Sequence, residues 1–199
     1  MLDIKELEQF DANNAYSKEA NKRLMQRVSD DTLREDQRSA SDRNTSALIN
    51  IRDTFNANAE LVTLFEKSDV RSDNFFSAIY ASVKALNLAK RAQNKYHKLD
   101  ENTRAIATSV LRIQSEMKAS DEKTLTKAQI DAAISRDIDY EDILSERRNA
   151  VLDKSTIAAQ SQQVLQVLTR MNIIAKVSRD TFKVCKANAL AKALQKNML

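Results

Sequence analysis

The stretch IAAQSQQVLQVLTRMNIIA, residues 157–175, decides how this chain is expected to fold. Ile157, Ser161, Val164, Leu168, Met171 and Ala175 recur at alternating spacings of four and three, with Leu165 and Ile174 flanking them. That is the period of an α-helix with an apolar seam to cover. No glycine stop follows it. The spacing therefore predicts one long helix from about Asp139 or Asp142 almost to Leu199, about 80 Å at 1.5 Å per residue. Such a helix outruns the shorter segments available to cover it. Val164, Leu165, Leu168, Met171 and Ile174 are accordingly the expected partner-binding seam.

Composition supports the same class. The 199 residues include no glycine and no proline. Without glycine, most tight β-hairpin turns and every Gly-rich phosphate loop lose their usual chemistry. Without proline, nothing breaks a helix by ring geometry. Hydrophobic residues make up 42% and aromatics only 5%, with no Trp, so a core of Leu, Ile, Val and Ala is expected. The resulting expectation is an all-α fold: an elongated helical bundle or coiled coil with a long C-terminal helix and no β-sheet.

Upstream of the seam, the chain divides into amphipathic pieces. Residues 3 to 28 read as a first helix, opened by an Asp3–Glu6 capping box. Residues 29–46 carry Leu33 as their only large apolar side chain among dense opposite charges, so 1–46 form a candidate extended or partner-dependent arm. The remainder, 47–199, is the expected bundle of a single helical domain. Leu48, Ile51, Phe55, Val62 and Phe65 follow helical spacing, with Asn58 in the skipped position. Ser68, Ser72 and Asp73 punctuate before Phe75, Phe76, Ile79, Val83 and Leu86. Asp100, Asn102 and Thr103 precede Ile106 and Val110, and Thr126 with Gln129 forms a second capping box.

The inventory of reactive groups is short. His97 is the single histidine and Cys185 the single cysteine. Catalytic triads, two-histidine zinc sites and disulfides all lack their parts. Asp137, Asp139, Glu141 and Asp142 could offer oxygen ligands, but a calcium loop needs a glycine at its turn, and helix N-terminal acids explain them better. No catalytic residue, cofactor or metal is expected.

Two basic stripes stand out. Lys84, Arg91, Lys95 and Lys98 fall at offsets that would share one helix face, and Lys176, Arg179, Lys183 and Lys186 would form another. Residues 170–199 hold seven Lys or Arg against one Asp, in a chain of net charge +4. Either stripe could track a phosphate backbone or an anionic lipid surface. The N-terminus lacks the apolar core of a secretory signal, and no apolar run approaches the roughly 18 residues of a membrane span. A protein soluble as made is expected, cytoplasmic unless packaged into a particle or exported without a leader. These features predict a non-enzymatic assembly protein that self-associates or docks on partner helices, with a nucleic-acid-binding helical protein as the alternative.

Overall fold

A chain without glycine must end its helices on residues that carry a Cβ. Two of its stops do so in the left-handed conformation, at Asp69 (φ 54°) and Asn172 (φ 55°). At the second, the Ile173 N–H donates to the Leu168 carbonyl at 2.9 Å and the Asn172 N–H to that of Thr169 at 3.0 Å. This pair of bonds is a Schellman stop, completed by apolar contact between buried Leu168 and buried Ile173. The first stop repeats it, with Val70 donating to Phe65 at 3.1 Å and Asp69 to Glu66 at 3.0 Å. Short polar side chains make Asn and Asp the least costly substitutes for glycine at such positions.

The computed structural model describes residues 4–31, 38–116, 124–129 and 154–198. In chain order the elements are α1 (Ile4–Glu8), α2 (Ala15–Asp31), α3 (Arg38–Ala57), α4 (Ala59–Glu66), α5 (Ser72–Phe75), α6 (Ile79–Gln93) and α7 (Glu101–Glu116). Then follow β1 (Leu125–Thr126), α8 (Lys154–Arg170), β2 (Ile174–Ser178), β3 (Thr181–Val184) and α9 (Ala189–Met198). Helix α6 is the hub, packing against α3, α4, α8 and α9, while α8 also lies on α7. Leu7, Tyr16, Ala20 and Leu24 join the same continuous core as Leu86, Leu168 and Leu194. Four aromatic residues gather within it: Tyr16 stacks on Phe55 at 4.7 Å, and Phe65 and Phe75 meet both edge-on.

The expectation of a helix-only bundle is overturned. The molecule is mostly helical, but β1, β3 and β2 form a three-stranded antiparallel sheet, in that order. The expected long helix stops at Arg170, and residues 174–184 form a hairpin. Its two-residue turn, Arg179–Asp180, joins the pair Ser178 and Thr181. Neither turn residue has positive φ, so this is not the primed turn that glycine favours. An ordinary turn would splay the strands, and a register shift between Lys176 and Ser178 leaves Val177 as an extra residue. A bulge of that kind adds right-handed twist and lets the hairpin close.

Several boundaries also move. Asn58, in the skipped position of the expected apolar spacing, caps α4, its side chain accepting from the Leu61 N–H at 2.9 Å, so a new helix starts there. Asn14 similarly divides the expected first helix, accepting from the Ser17 N–H at 2.9 Å. Helix α3 runs unbroken across the boundary drawn between 46 and 47. Residues 32–37 of the arm, the acidic run 137–142, and Ile130 and Ile134 lie outside the described residues. The Thr126–Gln129 box forms as expected, with Gln129 N–H to Thr126 Oγ1 at 3.2 Å and Thr126 N–H to Gln129 Oε1 at 2.9 Å.

Candidate anion-binding cleft

Helix α8 buries one face and exposes another. Val164, Leu165 and Leu168, with Met171 and Ile174 just beyond, are each at most 1% exposed. The expected partner-binding seam is thus covered by this chain's own α6, α7 and β2. The reason is the stop at Asn172: a helix ended there is short enough for its neighbours to cover. On the opposite arc, Ala158, Ala159, Gln162 and Gln166 are exposed. Among the described side chains, the stretch from Ala158 to Gln166 of that outer face carries hydrogen-bonding amides and no charge, with Arg170 one turn further on.

Cations flank it on the side of the hairpin. Strand alternation puts Lys176 opposite Phe182, on the sheet face that also carries the buried pair Ile174 and Val184. Lys176, with Arg179 and Asp180 of the turn, forms one wall of a cleft of about 250 Å³. Gln162, Gln166, Thr169 and Arg170 form the α8 wall. Lys127 completes it, held in place because its N–H donates to the Asp180 carbonyl at 2.8 Å. Among the described residues, four cations and one acid therefore line the cleft. Arg170 is partly buried, and its Nη1 is closed off from solvent with no hydrogen-bond partner. A buried guanidinium N–H without an acceptor is costly and calls for an explanation.

Of the second basic stripe, the fold brings together Lys176 and Arg179 only. Lys183 pairs with Ala175 on the other sheet face, and Lys186 lies in the turn after β3. The stripe is not helical, because its residues sit on a hairpin. Lys127 and Arg170 were absent from the expected set, and nothing in their local sequence links them to Lys176. The first stripe is also broken. Lys84 is 7% exposed within α6, which ends at Gln93, so Lys95 and Lys98 lie in the loop beyond. Arg91 donates to the carbonyls of Lys95 and His97, holding that loop to the helix end. Burial, reinforced by Lys90 and Arg91, pushes the His97 imidazole below its ordinary pKa. Burial pushes the Cys185 thiol up, against the pull of Lys183, which disfavours the reactive thiolate.

Among the described residues no cluster of His, Cys, Asp or Glu has metal-ligand geometry, and no helix is long and apolar enough to cross a membrane. No family model, curated protein or solved structure matches this chain.

Proposed function

We propose that this chain is a non-enzymatic nucleic-acid-binding protein that presents the outer face of α8 to duplex DNA, with the β2–β3 hairpin beside it. The observation that carries the reading is the cluster of Lys127, Arg170, Lys176 and Arg179 in one cleft beside the exposed Ala158, Ala159, Gln162 and Gln166 of α8. An α-helix fits the major groove, where glutamine amides pair with adenine and alanine methyls meet thymine. Gln162 and Gln166, one turn apart, suit base edges, and the flanking cations suit phosphates. In its described elements, the chain order α7, β1, a capped helix start at Lys127, α8 and a hairpin, with β3 between β1 and β2, resembles that of a winged helix-turn-helix. Helix-turn-helix proteins set their second helix in the major groove. That likeness is one of topology alone.

Self-association through the α8 seam, the other function expected from the sequence, loses its observation once those side chains are internal.

Fluorescence anisotropy with a labelled duplex over a salt series tests the reading. Four phosphate contacts give a log–log slope of about −3.6. Changing the four cations to Gln should flatten that slope. Gln162→Ala and Gln166→Ala should instead alter sequence preference at an unchanged slope. A wild-type chain that binds no duplex at low salt would defeat the proposal.

A further inference from the structure

We infer that the cleft between α8 and the hairpin is a site for a single phosphoryl group, with Arg170 on its α8 wall. The inference deepens the preceding reading and rests on it only for the source of the phosphate.

Three features converge. The first is the electrostatics: among the described residues, Lys127, Arg170, Lys176 and Arg179 outnumber Asp180 in the lining of one concavity. Such an excess suits a group that carries one or two negative charges on several acceptor oxygens. The second is Arg170 itself, a partly buried guanidinium on the α8 wall whose Nη1 finds no acceptor in the protein, so that turning its terminal group toward the cleft would give that N–H a phosphoryl oxygen. The third is size. At about 250 Å³ the cleft is smaller than the roughly 300–1,000 Å³ of pockets that enclose whole small molecules. It admits a phosphate and a few waters, while an attached sugar and base would remain outside. Gln162 and Gln166 at the mouth offer amides to whatever the phosphate carries.

The site is also firmly built. The Lys127 N–H bond to Asp180 ties the start of one element to the hairpin turn, and α8 ends in the Schellman stop immediately before β2. The Cα positions that carry the cations are therefore set by paired backbone. Arg170 belongs to the last turn of α8, where its charge is also favourable to the helix dipole.

The test is titration of the full chain with inorganic phosphate at constant ionic strength, read by calorimetry and by the shift in melting temperature. Wild type should bind one phosphate and melt higher in its presence. Losing a charge-assisted hydrogen bond should weaken binding about tenfold in Arg170→Gln and in Arg179→Gln. Arg179→Gln lies on the exposed turn and answers the question if Arg170→Gln fails to fold. Lys183→Gln, on the opposite sheet face, should stay close to wild type. Phosphate that competes with duplex identifies the occupant as a backbone phosphate; phosphate that binds alongside duplex identifies it as a free phosphoryl anion, and either result supports the site. No phosphate binding, with Arg170→Gln and Arg179→Gln affecting duplex affinity no more than Lys183→Gln, overturns the site but leaves the DNA reading standing. Phosphate binding without duplex binding does the reverse.

Discussion

Single positions show how this chain manages without glycine. Asp69 and Asn172 hold left-handed backbone, but only Asn172 also uses its side chain there, donating to the Ser68 carbonyl at 3.2 Å. Asp69 is exposed, so Asp69→Gly should relieve the Cβ penalty and stabilise the fold by about 0.5–1 kcal/mol, measured by thermal melting. Leu168→Asp should have the opposite sign and a larger size. The side chain is fully buried, and an unpaired carboxylate there should cost about 3–5 kcal/mol in chemical denaturation. Tyr16 adds a pH dependence. Its buried hydroxyl donates to the Val70 carbonyl, and burial, with Glu66 and Asp69 nearby, pushes the phenol above its ordinary pKa of 10.0. The folded state thus keeps a proton that the unfolded chain gives up. That contribution is complete below pH 10 and falls as pH rises above it. Tyr16→Phe should flatten the alkaline side of the stability profile at the cost of one hydrogen bond, about 1–2 kcal/mol.

At the scale of elements, legibility followed the range of the interaction. The Thr126–Gln129 box and the Asp100 cap, which accepts from the Thr103 N–H at 2.8 Å, are local side-chain-to-backbone bonds and could be read directly. Residues 170–184 were misread because Met171 and Ala175 continue the helical spacing past the point where the helix ends. The contrary signals were Asn172, the β-branched pair Ile173–Ile174, and the alternation of Thr181, Phe182, Lys183 and Val184. Half of the cleft was legible as charge, in Lys176 and Arg179. Lys127 and Arg170 were not, because only tertiary folding joins them to the hairpin. Hydrogen exchange should expose the misread element: β3, paired on both sides, should exchange more slowly than β2, which has one partner strand among the described residues.

Over the whole molecule, a buried polar knot joins segments far apart in sequence. The Asn188 amide donates to the carbonyls of Ser68, Met171 and Asn172 at 3.1, 3.3 and 2.7 Å. Its Oδ1 caps α9 by accepting from Ala191 N–H at 2.9 Å, while Ser68 Oγ accepts from Leu190 N–H at 2.9 Å. Both left-handed stops and the start of α9 thereby meet at one point. Removing the amide leaves buried carbonyls unsatisfied, so Asn188→Ala should cost about 2–4 kcal/mol. A double-mutant cycle with Ser68→Ala should show coupling of about 1 kcal/mol or more, because both side chains cap the first turn of α9 and the Asn188 amide bonds the Ser68 carbonyl. Additive losses would mean that the two sites act separately.

The knot also bears on the order in which the protein forms. Ser68 and Asn188 are separated by 120 residues, so bringing them together closes a very large loop, whereas each helix stop is local. Contacts of such long separation are expected to lock after the rate-limiting step, giving Asn188 a low φ-value. Asn188→Ala should then leave the refolding rate nearly unchanged and accelerate unfolding by most of its equilibrium cost. The residue that ties the two ends of the core together would act as a latch, governing how long the native state lasts more than how quickly it is reached.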